Sequence, residues 1–169
     1  LFDKFKKVVS AEPAAPARPA AITAQASDFA LCAPISGKAI KMADVPDPVF
    51  SGEVLGKGCA IWPENDEVTV TMGHAVGLKS DSGVEVLVHV GVDTVDMKGR
   101  GFTGYVKQGD HVNAGDPMIK IDRSEIAAAG HPDCVVLAVS NTAEYASVTM
   151  TAEADAHVDA GTAVVEVAK

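Results

Sequence analysis

His89 lies in the run Val84-Glu85-Val86-Leu87-Val88-His89-Val90-Gly91-Val92-Asp93, where five valines alternate with five other residues. An imidazole has an ordinary pKa of about 6.5, so near neutral pH much of it is an uncharged nucleophile. Such a nitrogen can attack an activated phosphorus and hold the phosphoryl group as a reactive phosphoramidate. That chemistry needs a fixed acceptor nitrogen, a second group to bind phosphate oxygens, and a shallow site that two partners can approach. His74, in His74-Ala75-Val76-Gly77-Leu78-Lys79, could supply the second group.

The elements that must hold these side chains are strands. Successive side chains of a strand point to opposite sides. Val84, Val86, Val88, Val90 and Val92 are therefore expected on one core face, the most buried in the molecule. Glu85, Leu87, His89, Gly91 and Asp93 share the other. Ser80-Asp81-Ser82-Gly83 reads as a hairpin turn joining this strand to the one that carries His74. Pairing around that turn brings His74 near the His89 end, where two histidines can converge on one oxygen-rich group.

Elsewhere, valine-rich runs of roughly four to eight residues are cut by glycine, proline and Asp/Asn turns, as in a sandwich or barrel. The expected fold is all-β: an antiparallel β-sandwich or barrel-sandwich hybrid of more than ten short strands, with one short helix at residues 123–129. Asp122 stands three before Glu125 as a capping box, and Gly130 sits at the stop. An internal pseudo-repeat supports the architecture. Asp110-His111-Val112-Asn113-Ala114-Gly115 precedes Met118-Ile119-Lys120-Ile121, and Ala156-His157-Val158-Asp159-Ala160-Gly161 precedes Val164-Val165-Glu166-Val167. His111 and His157 match each other in these turns and read as structural or exposed. His131, beside Pro132 in a loop, reads the same way.

The 169 residues carry a net charge of −9. An acidic chain lacks the basic face that nucleic-acid binding requires and suits a partner with a basic patch. Arginine occurs only at 18, 100 and 123, so part of the charge that neutralises a phosphoryl group should come from elsewhere. Cys32, Cys59 and Cys134 are widely spaced and without a CxxC pair, which suggests neither a disulfide framework nor a zinc knuckle. No apolar run approaches the ~18 residues of a transmembrane helix. Leu1, Phe2, Phe5, Val8 and Val9 fall at helical spacing beside Lys4, Lys6 and Lys7, so residues 1–10 read either as an amphipathic segment suited to an anionic membrane surface or as a frayed terminus. An Ala/Pro-rich stretch over 11–28 reads as an extended, solvated linker, and the folded domain is placed at 29–169.

Taken in order, Asp44-Val45-Pro46-Asp47-Pro48-Val49-Phe50, Gly56-Lys57-Gly58-Cys59-Ala60-Ile61-Trp62-Pro63, Gly73-His74-Ala75-Val76-Gly77-Leu78, Ser80-Asp81-Ser82-Gly83-Val84-Glu85 and Val88-His89-Val90-Gly91-Val92-Asp93-Thr94-Val95 resemble the glucose-type IIA component of the bacterial phosphoenolpyruvate:sugar phosphotransferase system. The likeness runs from about Ala33 to the C-terminus. It implies a cytoplasmic phosphotransferase that takes a phosphoryl group from phospho-HPr and passes it to the IIB domain of a sugar permease. The intermediate is a covalent phosphohistidine, with no cofactor and no metal. By the same resemblance His89 is the acceptor through Nε2 and His74 contacts the phosphate. Asp47 and Asp93 border the site and turn toward a partner's arginine; Val49, Phe50, Leu87 and Val95 form an apolar rim. On an ideal strand Asp93 lies ~13 Å from His89, so a bend is expected at Gly91.

One departure from the family pattern lies between Pro63 and His74. The family usually has a longer segment there, with a second Ala-Pro-x-x-Gly stretch like Ala33-Pro34-Ile35-Ser36-Gly37. Met72 stands where the family places a threonine that orients the imidazole. Two other readings compete. His89-x-x-x-Asp93 resembles half of a β-rich zinc peptidase site, but the chain has no His-x-His pair to complete it. Ala39-Ile40-Lys41-Met42-Ala43 resembles the hairpin of a biotinyl or lipoyl carrier, but Lys41 lacks the preceding methionine.

Overall fold

The computed structural model describes residues 17–25, 27–65 and 75–169. The first amphipathic segment, Met72 and His74 lie outside the described residues. The strands are β1 (Ala30–Cys32), β2 (Gly37–Lys41), β3 (Lys57–Pro63), β4 (Ala75–Lys79), β5 (Glu85–Val90) and β6 (Phe102–Gly104). They continue with β7 (Ile119–Ile121), β8 (Val135–Val139), β9 (Ser147–Met150), β10 (His157–Val158) and β11 (Ala163–Ala168). All pairings are antiparallel. A six-stranded sheet runs β10-β2-β3-β8-β5-β4, beside a three-stranded sheet β1-β11-β9 and a two-stranded sheet β6-β7.

β8 is the hub. Every residue of Val135-Val136-Leu137-Ala138-Val139 is buried, because both faces of the large sheet are covered at this central strand. The valine face of β5 is buried as expected, at 0–7% exposure from Val84 to Val90, and β8 at 0–3% is buried slightly more deeply. Strand alternation sorts the core into two clusters. Val84, Val86, Val88 and Val90 join Val135, Leu137 and Val139 in the larger one, which reaches Val164, Val165 and Val167 on β11. Val136 and Ala138 point the other way, into a smaller cluster with Ile40, Val45, Phe50 and Ala60. Val92 belongs to this second cluster and not to the valine face. The reason is local: β5 ends at Val90, and Gly91, at φ 73°, turns the chain before Val92.

The expected helix is α2 (Arg123–Ala128), capped by Asp122, whose side chain accepts from the Ser124 and Glu125 amides. Gly130 follows at φ 82°. The reciprocal half of the capping box does not form. The Asp122 amide donates to Gly101 O, and Glu125 pairs with Arg100 at 3.3 Å. The expectation of a single short helix is corrected by α1 (Pro48–Ser51). Asp47 caps it and Pro48 opens it with a preset φ. Short 3₁₀ turns at Met42–Asp44, Thr94–Met97 and Thr142–Glu144 complete the helical content of the described residues. Lys41 ends β2 and runs straight into the first of these turns instead of a returning strand, so the biotinyl-type hairpin is not formed.

Part of the stretch expected as a linker is tied to the fold. The Ile22 amide donates to Gly115 O and the Gln25 amide to Gly161 O, at 3.0 and 2.8 Å. These are the two turn glycines of the internal repeat, so residues 22–25 cross both copies of the motif.

Candidate functional site

His89 is held by two neighbours. Antiparallel pairing sets it opposite Val136 of β8 and Ala75 of β4. Its side chain is half-buried and faces the smaller cluster. The Phe50 ring lies 5.0 Å away, centroid to centroid, tilted by 56°; ring contacts of this kind fix orientation without consuming a ring nitrogen. Nδ1 lies 2.8 Å from the carbonyl oxygen of Gly91. A carbonyl can only accept, so Nδ1 carries the hydrogen and donates. The neutral ring therefore has its lone pair on Nε2. Which ring nitrogen keeps the lone pair is thus set by a backbone contact two residues along the same chain.

The turn that supplies this carbonyl is itself pinned. The Gly91 amide donates to Cys134 O and the Val92 amide to Pro132 O, both at 2.9 Å. The buried Thr94 hydroxyl donates to Val90 O at 2.7 Å. A Cβ on Gly91 would land on the Thr94 methyl, so this turn requires glycine for space as well as for φ. The bend expected at Gly91 is present. It carries Asp93 to an exposed, left-handed position (φ 58°) at the head of the Thr94–Met97 turn.

Asp47 has a structural duty: its Oδ1 accepts from the Val49 and Phe50 amides at 2.8 and 2.9 Å. The cap sets α1 so that Phe50 turns inward against His89 while Val49 stays 41% exposed. Of the expected rim, Val49 and Val95 (62% exposed) are open to solvent. Phe50 lies deeper than these two. At 6% exposure it is a wall of the imidazole site, because the cap folds it under the helix. Leu87 is half-buried and packs on the smaller cluster.

His74 falls outside the described residues, but its neighbour Ala75 is the register partner of His89, and the hairpin is closed as expected. The Ser80 amide donates to Val84 O and the Gly83 amide to Ser80 O. The arginines are each engaged with a carboxylate: Arg18 with Asp116, Arg100 with Glu125 and Arg123 with Asp133. Among the described residues no group of three or more His, Cys, Asp or Glu lies together as a metal site would require. The Cys59 and Cys134 thiols are buried and pushed up to about 12, by desolvation first and, for Cys134, by Asp133 next.

Nothing local in the sequence marks His131. Its Nε2 lies 2.7 Å from Asp96 Oδ1, its side chain is 14% exposed, and it faces the turn that follows His89. His157 behaves as its repeat position suggests, exposed and bridging Glu64 and Asp159.

An antiparallel β fold that holds the half-buried His89 imidazole through Gly91 O and the Phe50 ring leaves one ring nitrogen able to take a reacting group. Comparison with known proteins agrees. The family described as phosphoenolpyruvate-dependent sugar phosphotransferase system, EIIA 1, matches residues 29–145. The glucose-specific EIIA component of Staphylococcus aureus is 37% identical over 133 residues, covering 73% of this chain and 80% of that protein. The beta-glucoside-specific EIIBCA component of Bacillus subtilis is 41% identical over 122 residues, 66% of this chain and 20% of that protein. The mannose-specific EIIBCA component of Corynebacterium glutamicum is 43% identical over 128 residues, 70% of this chain and 19% of that protein. The chain thus spans about a fifth of the length of these two fused relatives. Among solved structures, the glucose permease IIA from Mycoplasma capricolum matches with a TM-score of 0.68 at 30% identity, covering 81% of this chain and 94% of that one. The chain belongs to the EIIA 1 family of the phosphoenolpyruvate-dependent sugar phosphotransferase system. It is a phosphoryl carrier of the transferase class with a role in sugar uptake.

Proposed function

We propose that His89 accepts the phosphoryl group from phospho-HPr on Nε2 and passes it to the IIB domain of a sugar permease. The observation that carries this reading is the 2.8 Å approach of Nδ1 to Gly91 O, which leaves the Nε2 lone pair as the nucleophile. In the first transfer the bond between phosphorus and the donor breaks as the Nε2–phosphorus bond forms. The Nδ1 hydrogen stays on the ring, shared with the Gly91 carbonyl, and keeps the phosphorylated imidazole a good leaving group for the second transfer. Both steps are in-line displacements that the protein assists chiefly by positioning and electrostatics.

His74 binds the phosphate oxygens and is not itself modified. Support comes from Ala75, the register partner of His89. Asp47 and Asp93 border the site, and a basic partner pairs with them as it docks, neutralising charge that the domain does not supply itself. Val49 and Val95 give that partner an exposed apolar seat. Which sugar is carried depends on the membrane component that receives the group. Among the described residues no helix is long and apolar enough to cross a membrane; a membrane contact through residues 1–9 belongs to the same proposal. The test is incubation with phosphoenolpyruvate, enzyme I and HPr. Wild type should gain one acid-labile phosphoryl group, His89→Ala none, and His74→Gln should accept the group but pass it on poorly. Undiminished labelling of His89→Ala would end the assignment.

A further inference from the structure

The turn that fixes the tautomer of His89 is not self-supporting. Gly91 and Val92 hang from the carbonyls of Cys134 and Pro132, and Asp96, further round the same turn, meets His131 Nε2 at 2.7 Å. The His131 amide in turn donates to Ile126 O at the end of α2. Next to it, Asp133 receives Arg123 Nε at 2.6 Å, with both side chains largely covered. Residues 131–134 thus form a bracket fastened to α2 on one side and to the Gly91–Met97 turn on the other. Asp96 is 67% exposed and contributes little packing, so the His131 contact is a directional fastening and not a core contact.

We propose that His131 is a positioning residue for phosphoryl transfer. Through Asp96 it holds the Gly91–Met97 turn in the form that keeps the Gly91 carbonyl on His89 Nδ1 and presents Asp93 and Val95 to the partner. The proposal rests on His89 being the acceptor, as argued above. Its physical content is pre-organisation. A carbonyl held in place selects one tautomer before the donor arrives, whereas a loosened turn lets the proton occupy either nitrogen and removes the nucleophile from part of the population. The same loosening displaces the docking residues, since Asp93 and Val95 ride on that turn.

Four variants test this: His131→Leu, His131→Gln, Asp96→Ala and the double variant His131→Leu/Asp96→Ala. Asp96→Ala removes the fastening from its exposed end and leaves the core intact. The first readout is the ¹⁵N spectrum of the His89 ring, which separates the Nδ1–H from the Nε2–H tautomer without any partner protein. The second is the second-order rate constant for acceptance from phospho-HPr. His131→Leu and Asp96→Ala should each raise the Nε2–H population and slow acceptance roughly tenfold or more. His131→Gln, whose amide can still donate to Asp96, should restore both. The double variant should be no worse than either single change, as expected for two ends of one contact. His157→Gln, at an exposed histidine away from the bracket, should alter neither readout. An Asp96→Ala protein with the wild-type tautomer ratio, or one whose ratio shifts while acceptance stays at the wild-type rate, would overturn the proposal. A wild-type chain that takes no phosphoryl group on His89 would remove the functional reading underneath, and the tautomer comparison would still decide whether the bracket orients the ring.

Discussion

The carbonyl oxygen of Gly91 accepts a hydrogen bond from Nδ1 of His89 at 2.8 Å, so the residue that follows the strand also chooses which imidazole nitrogen keeps its lone pair. Gly91 can do so because it turns at φ 73° against Thr94. Gly91→Ala forces a left-handed alanine, which costs about 1–2 kcal/mol, and must also push the Thr94 methyl aside. We expect a loss of about 2–3 kcal/mol in urea unfolding, together with a mixed His89 tautomer in the ¹⁵N spectrum. A stable variant with an unchanged spectrum would show that the turn does not set the tautomer.

Asp47 and Asp93 should separate in their effects. Asp47 caps α1, so Asp47→Ala should cost about 1 kcal/mol, while Asp47→Asn keeps an acceptor and should cost little. Asp93 is exposed, and asparagine tolerates its left-handed backbone, so Asp93→Asn should leave stability within about 0.5 kcal/mol. Both asparagine variants should slow acceptance from phospho-HPr and flatten its dependence on ionic strength. Wild-type rates and salt slopes in both would remove these aspartates from the docking surface.

The strap over the internal repeat gives a third prediction. A Cβ at Gly161 (φ 88°) would strike the Thr23 carbonyl, whereas one at Gly109 (φ 91°) would meet nothing within 4 Å. The two backbones carry nearly the same strain, so the difference between Gly161→Ala and Gly109→Ala isolates the strap. We expect Gly161→Ala to be the more damaging by about 1 kcal/mol or more, with faster hydrogen exchange at the Gln25 amide. Equal losses would mean that residues 22–25 lie on the domain without stabilising it.

The His157 imidazole is raised above its ordinary 6.5 by its hydrogen bond to Glu64 first and to Asp159 second. A raised folded-state pKa contributes stability that is complete below the unfolded value and is lost as pH rises through the folded one. The urea-midpoint gap between wild type and His157→Gln should therefore be widest below pH about 6.5 and close above it. A gap that is constant or widens with pH would contradict the pairing.

The sequence makes one kind of feature legible and hides another. Alternation of valine marks β5 and sets His89 opposite the larger cluster, because side-chain period and strand period coincide. The same alternation misplaces Val92, since a single positive-φ glycine resets the face. α1 escapes a periodicity argument because four residues are too few to show one. Its one signal is Asp47 before Pro48, a cap followed by a preset φ, and the resemblance accounts for Asp47 only as a site border. The strap at residues 22–25 rests on main-chain hydrogen bonds, which leave no side-chain signature in an Ala/Pro-rich stretch. His131 acquires its partner across 35 positions, a distance at which an isolated histidine and an isolated aspartate say nothing about each other.

In the proposed transfer His89 Nε2 carries the phosphoryl group. The most direct measurement is ³¹P–¹⁵N correlation NMR on ring-labelled protein after incubation with phosphoenolpyruvate, enzyme I and HPr. The predicted result is one acid-labile phosphoryl group bonded to Nε2 of His89, with Nδ1 still protonated, and no such signal in His89→Ala. A phosphoryl group on Nδ1 of His89, on another histidine, or persisting in His89→Ala would contradict it.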